Sequence, residues 1–249
     1  MKKINIGGQA VIEGVLMQSP SLVALAVRVP DGSIHVEDFE HTLAPPRHNW
    51  RNWPVVRGVW RMWKMLSMGM RSINRSAALA FPDEIAKEDG GTWTVVLAVV
   101  IALAIFVALP TIAAGYLASF IPDPILLNIA EGLLRLAIFL GYLWSIARMK
   151  DIRRVFMYHG AEHKVVHCYE RDMELTVENA SGCSRLHPRC GTGFLLLIVV
   201  VSIVLFSLLG WSGAWYVRIG LRLAMLPVVA GLAYELLRFA ARHETVFWR

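Results

Sequence analysis

Four long apolar segments constrain the fold of this chain more than any other feature. A helix needs about 20 predominantly apolar residues to cross a bilayer. Residues 93–121 and 194–217 meet this requirement without a charged side chain, and residues 125–147 and 219–241 meet it with two and three charged side chains. A hydrophobic content of 56% and a mean hydropathy of +0.50 agree with this pattern. The sequence therefore predicts a mainly α membrane protein with four transmembrane helices.

The distribution of basic residues predicts the orientation of these helices. Residues 1–91 hold eleven of the 25 lysines and arginines and residues 148–190 hold eight, whereas the connections 119–124 and 210–217 hold none. Basic loops stay on the cytoplasmic side of a membrane. We therefore expect a multi-pass membrane protein with both termini and the histidine-bearing segment in the cytoplasm. The net charge of +6 follows from this orientation, and no motif indicates a nucleic-acid partner.

The segments outside the apolar stretches predict a small cytoplasmic α+β portion. Residues 22–29 and 33–37 read as two strands of a β-hairpin, because a Pro-Asp-Gly turn signal separates them. No apolar stretch follows the N-terminal lysines, so a cleaved signal peptide is not expected. We predict five regions: an N-terminal β-hairpin unit at 1–54, an amphipathic helix and linker at 55–91, two spans at 92–148, a His/Cys-rich segment at 149–192 and two further spans at 193–249.

The glycine-rich stretch at residues 7–15 has two interpretations. It reads more readily as a glycine-permitted turn leading into the hairpin than as backbone that approaches a ligand closely. Glu13 within it is a candidate catalytic base or additional metal ligand.

Residues 55–78 predict an amphipathic helix with one basic stripe. Such a helix suits the anionic surface of a membrane, with its aromatic residues in the headgroup region. The alternative is a helix that packs on protein. The side chains expected to bind anionic lipid headgroups are Arg57, Arg61, Lys64, Arg71 and Arg75.

A histidine cluster in the second cytoplasmic segment predicts a metal site. His159, His163 and His167 recur every four residues, so a helix presents them on one face. The H-x-x-E-H spacing is that of an inverted zincin, in which two histidines bind zinc and Glu162 acts as general base. One straight helix cannot bring all three imidazoles onto one ion, because the first and third lie about 11–12 Å apart along its axis.

The remaining ligands have to come from elsewhere in the same segment. His187 and Cys190 form one candidate pair, since imidazole and thiolate together suit zinc. A site closed by these two residues would be structural, whereas a catalytic site keeps one position for water. The three cysteines, an odd number, indicate a reducing compartment. Other candidate third ligands are Glu170, Glu174 and Glu178.

Three charged residues fall inside the predicted spans at similar depth. Glu131 and Arg135 are one helical turn apart, and Arg222 enters the fourth span from the same side. Charges at this depth are costly and face the interior of the bundle. We expect a cluster that holds the helices together, in preference to a transport role.

Four motifs together resemble one family of proteins. They are GGQAVIEGVLMQSP at 7–20, PVVRGVW at 54–60, YHGAEHKVVHCYE at 158–170 and HPRCGTGF at 187–194. They resemble the YqhQ-like family (DUF1385) of bacterial multi-pass membrane proteins, labelled a predicted metal-dependent enzyme. The resemblance implies a membrane protein with cytoplasmic His/Glu/Cys motifs. The chain departs from the family pattern at two points: Leu16-Met17-Gln18-Ser19 stands where we expect an arginine, and we expect a C-terminal segment longer than the one that ends at Arg249.

Three functions remain open at this point. The first is a metal-dependent hydrolase that acts on a membrane-associated substrate. The second is a non-catalytic protein whose metal site is structural and which serves membrane-protein assembly, translocation or another protein partner. The third is an oligomeric transporter, which four helices without interrupted segments favour least.

Overall fold

The chain divides into two compact units. The computed structural model describes residues 6–40, 50–85, 92–187, 190–208 and 214–242. Unit 1 comprises the described residues within Met1–Asn52, Trp60–Asp89 and Ile146–Cys190, and unit 2 those within Trp53–Val59, Gly90–Ser145 and Gly191–Arg249.

A four-stranded antiparallel sheet forms the N-terminal part of unit 1. Its strands follow the order β1-β2-β3-β4 and are β1 (Gly7–Val11), β2 (Gly14–Gln18), β3 (Leu22–Arg28) and β4 (Ile34–Glu40). The predicted hairpin corresponds to β3 and β4. The glycine-rich stretch differs from its prediction, because it forms β1 and the start of β2 on either side of a turn at residues 12–13. The sequence shows no alternation of apolar and polar side chains in this stretch, because glycines occupy the strand positions where neighbouring groups come close.

One face of the sheet packs on helix α1 (Val56–Ala80), which extends the predicted helix by two residues at its C-terminal end. Alternate strand residues lie on this face, as the period of two requires. A Cβ at Gly69 of α1 would lie 2.8 Å from the side-chain amide of Gln9, so the glycine leaves room for this amide against the helix. The Ser76 hydroxyl accepts a hydrogen bond from the Ile12 amide at 3.1 Å. The buried core contains Val11, Leu16, Val23, Leu25, Val27, Met68 and Ala80.

Helix α1 packs on protein along one side and leaves large apolar side chains exposed on the other. Arg75 bonds Glu37 of β4 in unit 1, and Arg57 bonds Glu235 in unit 2. The large apolar side chains of α1 that remain exposed include Trp63, Met65, Leu66 and Met70. Protein carboxylates therefore neutralise two of the five cations, and binding of the group to lipid headgroups stays a prediction.

The opposite face of the sheet packs on helix α6 (Lys150–Glu170), which carries the histidine cluster. The other elements of unit 1 are a 3₁₀ helix at Trp50–Asn52 and the short helices α2 (Pro82–Ile85) and α7 (Val177–Ser181). Unit 1 is thus a sheet between two helices, and α6 contacts β1 and β2.

Unit 2 is helical. Its elements are α3 (Thr92–Leu103), a π-helical turn (Ala104–Ala108), α4 (Leu109–Leu117), α5 (Pro124–Ile146), α8 (Gly191–Leu208) and α9 (Trp215–Arg242). The last residue of α5 belongs to unit 1. Gly132 allows α5 to approach α8, since a Cβ there would lie 2.3 Å from Ile203.

Three helices within the described residues are long and apolar enough to cross a membrane: Trp93–Leu117, Pro124–Ile146 and Trp215–Ala240. The apolar helix at Gly193–Leu208 is shorter. The predicted span 194–217 continues through residues 209–213, which lie outside the described residues. The apolar helices indicate a membrane protein, and the count of four spans stays a prediction.

The predicted charge cluster is present in unit 2. Glu131 Oε1 lies 2.8 Å from an Arg135 guanidinium nitrogen and 3.0 Å from the Thr111 hydroxyl, while Oε2 accepts from Arg222. Glu131, Arg135 and Arg222 are all buried. Both buried arginines, Arg135 of α5 and Arg222 of α9, therefore lie against the carboxylate of Glu131.

The π-helical turn supplies a further acceptor to this cluster. Pro110 has no backbone N–H, so it cannot bond the carbonyl four residues earlier, at Phe106. Arg135 Nε donates to that carbonyl at 3.0 Å. A second Arg135 nitrogen donates to the Ser202 hydroxyl of α8 at 3.2 Å. The backbone irregularity thus helps to satisfy a buried guanidinium.

Candidate metal centre

Helix α6 presents the three predicted histidines on one side. Their spacing of four residues places neighbouring rings one turn apart. The ring centroids of His159 and His163 are 4.3 Å apart. His167 lies against another ring instead, that of His187, at 4.6 Å. The histidines of α6 therefore belong to two adjacent groups.

The first group is His159, His163 and Cys190. The ligand atoms of these three residues lie within 4.8 Å of one another, and His159 Nε2 lies 3.3 Å from Cys190 Sγ. Zinc bonds of about 2.0–2.3 Å in tetrahedral geometry would separate ligand atoms by about 3.3–3.6 Å. Small side-chain adjustments would bring this donor set onto one ion.

Glu162 lies beside the first group. Its Oε2 is 3.6 Å from His159 Nδ1 and 3.5 Å from His163 Nε2. Only 5% of its side chain is exposed, and Oε2 has no hydrogen-bond partner among the described residues. Burying a carboxylate oxygen without a partner is costly. The arrangement fits a site that receives a cation or a proton donor.

Gly8 of β1 makes room for this carboxylate. A Cβ at Gly8 would lie 2.4 Å from Glu162 Cγ and 2.6 Å from Oε1. The glycine-rich motif therefore acts through its close approach to the α6 side chain. From the sequence, one interpretation was that the backbone of this stretch approaches a bound ligand closely. In the structure, the group that Gly8 approaches is the side chain of Glu162.

A backbone carbonyl orients His163. Its Nδ1 lies 2.7 Å from the Arg185 carbonyl oxygen. A carbonyl only accepts, so Nδ1 carries a proton, and in the neutral ring the Nε2 lone pair is directed toward Glu162. Metal-binding histidines usually donate their second nitrogen to a carbonyl or carboxylate in this way.

The second group is His167, Glu170 and His187, whose ligand atoms also lie within 4.8 Å of one another. His187 Nε2 is 3.2 Å from Glu170 Oε2. His167 Nε2 lies 2.8 Å from the Leu186 carbonyl oxygen. His187, which we considered together with Cys190 from the sequence, thus lies with the last histidine of α6.

Two imidazole pKa values shift in opposite directions. The hydrogen bond to Cys190 is the main cause that raises the pKa of His159 above its ordinary value. Burial is the main cause that lowers the pKa of His187, and the nearby rings of His167 and His163 act in the same direction. His187 is therefore held more firmly in its neutral form, the form that binds metals.

Glu13 lies away from the histidines. It has a backbone φ of 52°, unusual for a residue with a side chain. Its carboxylate bonds the Arg154 guanidinium and accepts from the Tyr158 hydroxyl at 3.2 Å. The bond to Arg154 is the main cause that lowers the pKa of Glu13. This ion pair ties the β1–β2 turn to α6 and leaves the carboxylate ill suited to act as a base.

The other sequence candidates lie outside both groups. Glu174 and Glu178 are in neither of them. Lys164 donates to the Ser181 carbonyl at 2.7 Å and so holds the end of α7. Cys168 and Cys183 are buried, and burial raises the pKa of the Cys168 thiol.

The chain combines helices that could span a membrane with a histidine-rich helix packed on a small sheet. The chain belongs to the family described as "Protein of unknown function (DUF1385)", which matches residues 53–249. It is 32% identical over 247 residues to "Uncharacterized protein YqhQ" of Bacillus subtilis (strain 168), covering 93% of this chain and 77% of that relative. No solved structure matches the chain. The predicted membership of the YqhQ-like family is confirmed.

Proposed function

We propose that this membrane protein binds a divalent metal ion, zinc, at His159, His163 and Cys190. The observation that carries the proposal is the buried Oε2 of Glu162, which faces two imidazole nitrogens. A cation there would offset the cost of burying that oxygen. Imidazole nitrogen and thiolate sulfur are both donors that zinc accepts.

Three protein ligands leave a fourth position for water, which is the arrangement of a hydrolytic site. When bound, zinc lowers the pKa of a coordinated water to about 7. Glu162 is the group that would hold or move a proton of that water. We propose a metal-dependent hydrolase that acts on a membrane-associated substrate, with His163 held in the required tautomer by the Arg185 carbonyl.

The basic residues support a cytoplasmic location for this site. They concentrate in residues 1–91 and 148–190, and the positive-inside tendency assigns both regions and both termini to the cytoplasm of a bacterial inner membrane. An open, mostly apolar cleft beside α6, lined by Arg28, Arg154, Met157, Tyr158 and Ala161, would receive part of a membrane-associated substrate.

One observation favours the structural alternative. The first group joins α6 to Cys190, 27 residues beyond His163, so a metal there would also tie the intervening segment to the helix. Such a protein would serve membrane-protein assembly, translocation or another protein partner without catalysis. The two functions differ at the fourth coordination position of the metal: a hydrolase has an exchangeable water there, whereas a structural site does not.

The experiment compares metal content and chemistry in the full chain purified in detergent. Wild-type protein should retain zinc at this site, and His163→Ala or Cys190→Ser should each contain one zinc ion per chain less than wild type. Glu162→Gln should keep zinc but hydrolyse the generic probe p-nitrophenyl acetate about 10²-fold or more slowly, because a positioned base contributes about 10²–10⁴-fold. The exposed Glu178→Gln, in the same segment, is the matched control and should match wild type.

Metal binding and hydrolysis are contradicted by different results. Wild-type protein without zinc at any loading would reject both metal functions. Two results together would favour the structural alternative. The protein would hold stoichiometric zinc without zinc-dependent hydrolysis, and acetohydroxamate, a metal-binding ligand, would leave the spectrum of the cobalt-substituted protein unchanged.

Gly8→Ala tests the placement of Glu162 from the other side. The new methyl group would displace the carboxylate from the two rings. Loss of such an outer partner lowers metal affinity by about 10–100-fold. A chelator competition assay measures this change. Gly7→Ala is the control, since no atom lies within 4 Å of its Cβ, and equal affinities in the two variants would contradict the assignment.

A further inference from the structure

A second set of metal-binding side chains lies next to the proposed zinc site. We propose that His167, Glu170 and His187 bind a second first-row divalent cation, either zinc or ferrous iron. Their ligand atoms lie within 4.8 Å of one another. Two imidazoles and one carboxylate suit both ions. The inference adds a second site to the proposed function without depending on catalysis.

The spacing within this group suits coordination. His187 Nε2 and Glu170 Oε2 are 3.2 Å apart, close to the separation of about 3.3–3.4 Å expected for two ligands of one tetrahedral ion. The rings of His167 and His187 lie 4.6 Å apart and tilted by 55°. Two rings in this arrangement are not stacked and can direct nitrogens toward a common point.

The protonation pattern of His167 also fits a ligand. Because the Leu186 carbonyl accepts from Nε2 at 2.8 Å, Nε2 carries a proton, and the neutral ring has its lone pair on Nδ1. His163 has the corresponding arrangement with the neighbouring Arg185 carbonyl. Consecutive carbonyls of one short segment therefore orient one histidine of each group.

His187 is the residue that separates the two sites. Only 5% of its side chain is exposed, and its ring lies 5.8 Å from that of His163 and 4.6 Å from that of His167. A single closed site would need His187 beside Cys190. The geometry instead assigns the thiolate to one ion and the carboxylate to the other.

The different donors make the sites distinguishable by spectroscopy. Only the first group contains a cysteine, so only there does cobalt(II) produce a thiolate charge-transfer band. Apo-protein in detergent is loaded with cobalt, zinc or, without oxygen, ferrous iron, and bound metal is counted after gel filtration. We expect two ions per chain for cobalt and the thiolate band from one of them. The zinc and iron loadings identify which ion the second site prefers.

The variants separate this inference from the proposed function. His167→Ala and Glu170→Gln should each lower cobalt from two ions to one and keep the thiolate band. Cys190→Ser should remove the band and keep one ion. His35→Ala, on exposed β4, is the control for loss of an unrelated histidine and should retain both ions. A single cobalt ion that produces the thiolate band in wild type, or two ions in both second-group variants, would overturn the second site while leaving the first intact.

Discussion

Glu131→Ala should destabilise the helical unit by about 3–5 kcal/mol, because it leaves two buried guanidinium groups without their shared carboxylate. Glu131 is 1% exposed and bonds Arg135 of its own helix and Arg222 of α9. The free energy of unfolding, measured in mixed detergent micelles, tests this expectation. Glu131→Gln keeps the size and one acceptor oxygen, so its loss should be smaller.

A more exposed ion pair in the same unit serves as the control. Arg57 and Glu235 pair with about a quarter of each side chain exposed. Because solvent screens such a pair, Glu235→Ala should cost about 1 kcal/mol or less. The zinc content should be unchanged in Glu131→Gln, since that residue belongs to unit 2 and the metal ligands to unit 1. Equal stability losses in Glu131→Ala and Glu235→Ala would contradict the proposed role of the buried cluster.

Gly14→Ala should disrupt the sheet of unit 1. A Cβ at Gly14 would lie 2.1 Å from the Ala26 carbonyl oxygen and 3.0 Å from the Val27 Cα, both in the backbone of β3. Backbone in a paired strand cannot move aside as a side chain can. Overpacking commonly costs about 1–3 kcal/mol and occasionally more, and a collision with backbone belongs at the upper end. We expect a loss of about 3 kcal/mol, measured by chemical denaturation.

The glycines of the same motif provide a graded series. Gly7→Ala should change stability by no more than about 0.5 kcal/mol, because its Cβ meets no atom within 4 Å. Gly8→Ala meets only the Glu162 side chain and should alter metal binding more than stability. If Gly14→Ala were as stable as Gly7→Ala, the pairing of β2 with β3 at this register would be wrong.

The apolar helices and α6 were predictable because their signals are local. A run of apolar residues and a spacing of four between histidines are visible without knowledge of the neighbours. The charge cluster followed from a general cost, since Glu131, Arg135 and Arg222 had to face one another inside a bundle. The limit on three imidazoles per helix also came from helix dimensions alone, and it matches the two groups along α6.

Strands β1 and β2 were missed because their glycines carry no alternating side chains. Gly8 and Gly14 are needed for distant neighbours, Glu162 and the backbone of β3, which sequence spacing does not reveal. Glu13 resembled a catalytic carboxylate, yet its partner Arg154 lies 141 residues away.

The sequence by itself determined that this chain has membrane-length apolar helices, a histidine-bearing helix and a buried charge cluster, because each depends on local composition or on a cost that any fold must meet. Only the tertiary structure decided how the candidate metal ligands divide into two groups. It set Cys190 with His159 and His163, and it set His187 with His167 and Glu170. That division depends on the path of the backbone at residues 185–187, whose carbonyls orient the imidazoles and which no spacing in the sequence specifies.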